Sequence, residues 1–292
     1  LTPGNGWESS DVLNPSVVRF QDQLWNFYSG FDGHTWHTGV ATSADGASWH
    51  KRGRTLSPDA QTWEGGYIAA NGHALVVRDE ILYWYQGGRP ARIGLARSRD
   101  GLAFTKQQAP VLDVGPYGSW DERGVADPYV IEAAGTLYLF YTGMDRAQRQ
   151  RLGVARSSDG VHWEKSRANP VLELGGRGAW DEAGLGEPAV FAAHGQYWML
   201  YTGRAWNEER RTGWAVSADG VAWRKIDAPL LPTPGAWGAK VVCDPTVLGQ
   251  EPDFRVWFGA GHLARPDERI HGQIGVARLR STIMVKKDST SR

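Results

Sequence analysis

A tryptophan recurs through the chain at Trp7, Trp63, Trp120, Trp180 and Trp237, at intervals of 56, 57, 60 and 57 residues. A repeat of this period over nearly the whole length restricts the chain to architectures that stack or close copies of one supersecondary unit. In four copies the tryptophan is followed seven residues later by Asn, Asp or Glu and then Pro: Asn14-Pro15, Asp127-Pro128, Glu187-Pro188 and Asp244-Pro245. The copy that begins at Trp63 diverges, and the region of Asn71 and His73 stands at the corresponding place. A second marker lies later in each unit, as Ser43-Ala-Asp-Gly46, Ser98-Arg-Asp-Gly101, Ser157-Ser-Asp-Gly160 and Ser217-Ala-Asp-Gly220; the fifth copy keeps only Gly275-Val-Ala-Arg278.

Each unit holds four strand-like runs separated by turn residues, with no apolar pattern of helical period between them. The Asp-Gly pair between runs three and four is a hairpin signal, because glycine supplies the positive φ that such turns need. Asp45, Asp100, Asp159 and Asp219 are therefore read as turn residues despite their regularity. Four antiparallel strands per unit, repeated radially, make a propeller blade. The expected fold is all-β, one five-bladed β-propeller domain over 1–292, with blades at about 7–58, 63–113, 120–174, 180–232 and 237–287. The run at 283–287 would supply the outer strand of the last blade, so that no N-terminal strand is needed to complete it.

Composition narrows the function classes. Lys plus Arg equals Asp plus Glu at 32 each, so no net field favours nucleic acid or an anionic membrane. No apolar run approaches the roughly 18 residues of a spanning helix, and no charged-then-apolar leader opens the chain; the compartment stays open, as does the oligomeric state. The single cysteine, Cys243, allows no internal disulfide and reads as a small buried hydrophobe. The excess lies in 37 glycines and 15 tryptophans, a mixture that suits short strands, Gly turns and aromatic packing, and also sugar-binding clefts.

In a propeller the first strands line the central channel and run the same way. Residues at the start of these strands form a ring at one mouth: Asn14, the 71–73 region, Asp127, Glu187 and Asp244. The loops at 31–37, 86–92, 142–151, 202–211 and 259–272 return to that face, and the Asp-Gly hairpins lie on the other. Carboxylates crowded around one channel cannot all ionise freely, so at least one should have a raised pKa. A neutral carboxylic acid beside an ionised carboxylate is the pair that glycosidic cleavage uses. Asp127, Glu187 and Asp244 are the catalytic candidates; the alternative is that they cap strand starts by accepting backbone N–H bonds. The leading tryptophans are read as inter-blade packing, and the acids beside them (Glu8, Glu64, Asp121, Asp181) as salt-bridge or packing elements. Substrate-binding candidates are Asp11, Asn14, Asn71 and His73 around the ring, and Trp36, Arg89, Arg146, Trp206 and His262 in the loops. Trp36 and Trp206 are suited to sugar stacking, and the Arg-bearing loops either to a solvated rim or to an anionic group. The histidine spacing matches no zinc signature, so no metal site is assigned; a structural calcium in the channel is left open.

On these residues the chain resembles the five-bladed propeller glycosidase superfamily of arabinanases, invertases, levansucrases and mannoside phosphorylases, which spans glycoside hydrolase families 43, 32 and 130. The matching text is the run from Trp120 to Ile131 (Trp-Asp-Glu-x-Gly-Val-x-Asp-Pro-x-Val-Ile), Leu137-Tyr-Leu-Phe-Tyr-Thr-Gly143, the Asp-Gly hairpins and Asn169-Pro-Val-Leu172. The resemblance implies an acidic trio at the first-strand positions, which in the arabinanase and invertase branches occupies the first three blades. Here the carboxylates fall in blades three to five, with Asp11 a candidate for the missing first-blade acid. By residue type Glu187 is the expected general acid, and Asp127 or Asp244 the base or nucleophile. The expected function is hydrolysis of a furanoside or related saccharide. The alternatives are a phosphorylase or transferase that holds phosphate on the arginine loops, and a non-catalytic sugar-binding propeller.

Overall fold

A computed structural model describes residues 1–226 and 228–282. The first unit comprises β1 (Asp11–Phe20), β2 (Gln23–Phe31), β3 (Trp36–Ser43) and β4 (His50–Leu56); the second β5 (Ala69–Val77), β6 (Glu80–Gly87), β7 (Arg92–Ser98) and β8 (Thr105–Lys106). The third comprises β9 (Gly124–Ala133), β10 (Thr136–Met144), β11 (Gln150–Ser157) and β12 (Glu164–Lys165); the fourth β13 (Gly184–Ala193), β14 (Gln196–Arg204), β15 (Arg210–Ser217) and β16 (Arg224–Ile226). The fifth shows β17 (Val241–Gln250), β18 (Asp253–Gly261) and β19 (Gln273–Arg280); the expected fourth strand at 283–287 lies outside the described residues. Within every unit, consecutive strands pair antiparallel in sequence order. The five first strands pack in turn, β1 on β5, β5 on β9, β9 on β13 and β13 on β17, and β17 returns to β1. The ring therefore closes.

The leading tryptophan packs inside its own unit, not between units as its sequence position suggested. Trp120 lies on Tyr141 of β10, with ring centroids 5.5 Å apart, and covers Gly143 and Gly153, where any side chain would run into the indole. This close approach is one reason for the glycine excess. The acid beside the tryptophan is buried beneath it. Asp121 accepts hydrogen bonds from the Tyr141 hydroxyl (3.2 Å) and Lys165 Nζ (2.6 Å), and Glu8 with Tyr28 and Lys51, Glu64 with Tyr85 and Lys106, and Asp181 with Tyr201 and Lys225 repeat the arrangement. A buried carboxylate is tolerable only with such partners.

Contacts between units run through the Asp-Gly turns. Asp159 Oδ1 accepts the backbone N–H groups of Val161 and His162 (both 2.8 Å), and the Gly160 carbonyl accepts Trp84 Nε1 of the second unit at 2.9 Å. The N-terminus also takes part in closure, at a place distinct from the fourth strand that the sequence assigned to 283–287. Segments ending at Leu112 and Leu172 pair with the third strands of units two and three. In unit five Leu1 does so, exchanging two 2.8 Å backbone hydrogen bonds with Ile274 of β19.

Candidate active site

The five ring positions share one backbone irregularity. Asn14, Asn71, Asp127, Glu187 and Asp244 have φ of 48°, 51°, 48°, 54° and 52°, and in each unit the β pairing skips register at that residue and the next. A bulge re-aims the side chain it carries. Asn and Asp tolerate the left-handed region better than other non-glycine residues, which accounts for the residue types in four of the five positions. The shared irregularity identifies Asn71, not His73, as the second occupant. Its neighbour is Gly72 where the other units have proline, because a Cβ there would strike the Trp84 carbonyl. His73 lies deeper in the narrow channel, stacked on Tyr129 at 3.8 Å with Nδ1 accepting the Val130 N–H at 3.2 Å. Burial lowers its pKa to about 3, so the imidazole is neutral.

All five side chains line one cavity of about 280 Å³, together with Trp36, Tyr67, Gln86, Thr142, Gln150, Thr202, Arg204, Arg210 and Asp267 among others. The three carboxylates are linked head to tail. Asp127 accepts the backbone N–H of Glu187 and the Thr142 hydroxyl; Glu187 Oε2 accepts the N–H of Asp244 at 3.0 Å; Asp244 Oδ2 accepts the N–H of Asn14 at 3.1 Å. Each acid thus caps the ring position of the next unit while still lining the cavity. The capping and cavity-lining readings of the sequence both hold for the same residues. The residue after the recurring aromatic of strand two sits underneath: Thr142 and Thr202 accept the N–H groups of Glu187 (3.3 Å) and Asp244 (3.1 Å), and Ser29 that of Asn71 (2.9 Å). In unit five this residue is Gly259, and a Cβ there would come within 2.6 Å of Asp244 Oδ2. The missing side chain makes room for the carboxylate.

Crowding shifts the acids as expected for like charges in a desolvated site. Burial and the Glu187 charge push Asp127 up to about 7. Burial, the Glu187 charge and a hydrogen bond to Glu187 raise Asp244 well above the usual carboxylate range. Cys243 Sγ donates to Asp244 Oδ2 at 3.2 Å, and burial pushes its thiol up. Arg210, 7% exposed, donates to the Arg265 carbonyl at 2.8 Å. Burial opposes its charge, but the acidic groups around it, Cys243, Glu187, Asp244 and Asp267, outweigh that and raise its pKa. Glu187, Cys243 and Asp244 present donor atoms within 4.8 Å of one another. They suit calcium poorly, since it takes about six to eight oxygen ligands, one donor here is sulfur, and Arg210 already supplies positive charge.

The remaining sequence candidates divide by position. Trp36 borders the cavity and donates to Glu268 at 3.2 Å. Asp11 does not replace the first-unit acid. It is fully buried, and its two oxygens accept the backbone N–H groups of Gly272 and Arg269, which anchors the 262–272 loop. Arg89 stacks 4.1 Å over the Tyr67 ring and is absent from the cavity lining. Arg146 pairs with Glu122 on the rim, His262 pairs with His271 at 3.0 Å, and Trp206 is 73% exposed at a hairpin tip; none of these three lines the cavity. Of the loop arginines that the sequence marked as a rim or an anion site, Arg204 and Arg210 line the cavity; Asp267 was not among the sequence candidates. A signal for Arg210 existed: it opens the third strand of its unit, at the same place as Trp36 and Gln150, and all three line the cavity.

Comparison with known proteins places this geometry. An uncharacterized protein of Mycobacterium tuberculosis is 28% identical over 234 residues, covering 73% of this chain and 76% of that protein. The 1,2-beta-oligomannan phosphorylase of Thermoanaerobacter sp. is 34% identical over 77 residues, 26% of this chain and 25% of that enzyme. Among solved structures, a thermostable family-43 glycoside hydrolase superposes with a TM-score of 0.73 at 17% identity, covering 95% of this chain and 91% of that one. Structural neighbours come from glycoside hydrolase families 43, 32 and 130, which are five-bladed β-propeller glycosidases. No helix among the described residues is long and apolar enough to cross a membrane. The family model for the glycosyl hydrolases family 32 N-terminal domain matches residues 17–187, more than half of the chain. With its closed ring of first strands and its linked carboxylates, the chain belongs to that family.

Proposed function

We propose that the five units are the blades of one five-bladed propeller domain and that the chain cleaves the glycosidic bond of a furanoside or related saccharide in the cavity at its mouth. The observation that carries the reading is the Asp127–Glu187–Asp244 relay on the cavity wall, where burial and mutual charge raise Asp244 well above the usual carboxylate range and push Asp127 up to about 7. A proton donor and an ionised carboxylate on one cavity are the groups that glycoside cleavage needs. The raised Asp244 and Asp127 are favoured as proton donor in place of the Glu187 expected from residue type, with Glu187, between them in the relay, as base or nucleophile. Asn14 and Asn71 complete the ring with neutral hydrogen-bonding groups suited to sugar hydroxyls.

A second reading, transfer to phosphate, is favoured by Arg204 and Arg210, both on the cavity lining, and by the local similarity to an oligomannan phosphorylase. Two cations beside the acids could hold a phosphate in the place of the attacking water. Assay of aryl and oligomeric furanosides and pyranosides, with and without inorganic phosphate, separates the two. Asp127→Asn, Glu187→Gln and Asp244→Asn should each lower kcat/KM by about 100-fold or more, with circular dichroism unchanged. Full activity in all three variants would remove the acid–base reading.

A further inference from the structure

The cavity mouth is built differently on its two sides. On the side of units five, one and two, the 262–272 loop reaches across the ring. Glu268 Oε2 accepts hydrogen bonds from Trp36 Nε1 of unit one (3.2 Å) and from the Tyr67 hydroxyl ahead of β5 (2.6 Å). The loop is tied down at its far end by Asp11 and by Arg269, whose guanidinium donates to the Gly33 carbonyl at 3.0 Å, and Arg210 holds the carbonyl of Arg265 at 2.8 Å. Trp36, Tyr67, Pro266 and Asp267 thereby form a continuous wall of the cavity.

On the side of units three and four only short hairpins bound the mouth. Their feet, Met144 and Gln150 in one and Arg204 and Arg210 in the other, line the cavity, and two exposed rings stand on them: Trp206 at the tip of the second, and Tyr117, from the segment ahead of β9, against Arg146 at the tip of the first. Trp206 is 73% exposed. Tyr117 is 85% exposed, yet its ring is fixed: the Arg146 guanidinium lies 4.1 Å from its centroid and also donates to its hydroxyl at 2.8 Å. Arg146 is in turn held by Glu122, with Nε 3.0 Å from Oε1. One face of the tyrosine is thus backed by a cation and the ring is presented to solvent. Exposed aromatic rings on the hairpins that bound a polar cavity, one of them held in place by a guanidinium, are a stacking surface for the apolar faces of sugar rings. At about 280 Å³ the cavity falls just below the roughly 300–1,000 Å³ of small-molecule sites, a size that suits the end of a glycan.

We propose that the cavity receives the terminal unit of a linear, neutral oligosaccharide and that the rest of the chain leaves across the hairpins of units three and four, over Trp206 and Tyr117. The inference rests on the saccharide reading above and adds a direction and a mode of attack to it: cleavage from the chain end, with remote units bound on the open side.

The test uses arabino-, fructo- and β-1,2-manno-oligosaccharides of two to five units, alongside the aryl monoglycoside of whichever sugar is accepted. Expected are release of one terminal unit at a time and a kcat/KM that rises with chain length. In Trp206→Ala and Tyr117→Ala, the ratio of kcat/KM for the tetramer to that for the aryl monoglycoside should fall by about 2- to 12-fold, the equivalent of a stacking contact of about 0.5–1.5 kcal/mol. Internal fragments from the earliest time points, or an unchanged ratio in both variants, overturn the inference. Calorimetric titration of the same oligosaccharides into Glu187→Gln separates this failure from failure of the catalytic reading. Length-dependent binding weakened by a further Trp206→Ala supports the platform even where the wild type cleaves nothing; binding independent of length and of Trp206 overturns it.

Discussion

The fourth and fifth units occupy equivalent places in the ring and are held together by different means. In the fourth, Trp180 covers Gly203 and Gly213, and Asp181 is buried with the Tyr201 hydroxyl (3.2 Å) and Lys225 (2.6 Å) as partners. In the fifth, Gly238 stands at the position of the acid and Phe258 at that of the tyrosine. Trp237 stacks on Phe258 at 6.3 Å, and the unit relies on Leu1 pairing with Ile274 and on the loop anchored by Asp11. The fifth unit also has Gly259 where the fourth has Thr202. Loss of the acid–tyrosine pin goes with the opening of space for Asp244 and with the long loop that walls the cavity. The regular unit is a scaffold; the irregular one carries more of the site.

Three measurements test the contrast between scaffold and site. Asp181→Ala leaves Lys225 and the Tyr201 hydroxyl without their buried acceptor, and should cost about 3–5 kcal/mol by analogy with broken buried ion pairs. Chemical denaturation measures it. A loss under about 1 kcal/mol, the size of an exposed ion pair, would mean that the pin is ornamental and the contrast between the units empty. Gly259→Ala forces a methyl group to within 2.6 Å of Asp244 Oδ2 and 2.8 Å of Leu13. It should lower stability by about 1–3 kcal/mol, as overpacking does, and should lower turnover more than Thr202→Ala does, since Thr202 only accepts one N–H. Parallel measurements of kcat and midpoint on the two variants test whether space or support is the limiting feature of the Asp244 position.

The smallest effect concerns pH. Asp127 has a folded-state pKa of about 7 against an ordinary 3.8, so between these values the native state holds a proton that the unfolded chain has lost. By linkage, its contribution to stability is fully present below about pH 4 and declines as pH rises toward 7. Asp127→Asn removes that decline. The variant should melt a few degrees above the wild type at pH 8 and show a smaller gain at pH 4. A variant equally or more destabilised at pH 8 would place Asp127 among the capping residues alone. A fold that gains stability when a candidate catalytic carboxylate is removed carries the usual mark of a site that trades stability for function.

Much of the architecture is legible because a repeat prints the same physical constraint several times. The five tryptophans, the Asp-Gly turns and the residues at the mouth of the ring follow from comparing copies within one chain. The same comparison aligns Ser29, Thr142, Thr202 and Gly259 as a matched series after the strand-two aromatic, a signal present in the sequence whose meaning emerges only beside the acids it supports. The leading tryptophan reads as an inter-unit contact because its recurrence says that it packs, not on what. Asp11 reads as a spare acid because position in sequence puts it near Asn14; its burial and its two backbone donors on a loop some 258 and 261 residues away are invisible in one dimension.

By itself, the sequence determined the number and content of the repeats, the strand order within each and which residues stand at equivalent places. These follow from local turn chemistry and from periodicity. Only the tertiary structure decided that each acid caps the next unit's ring position, that Asn71 and not His73 takes the second place, that Arg210 and Asp267 join the cavity, and that the mouth is walled on one side and open on the other. Those facts depend on ring closure, which brings Asn14 and Asp244, 230 positions apart, to within hydrogen-bond distance, and on bulges whose left-handed backbone sets where each side chain points.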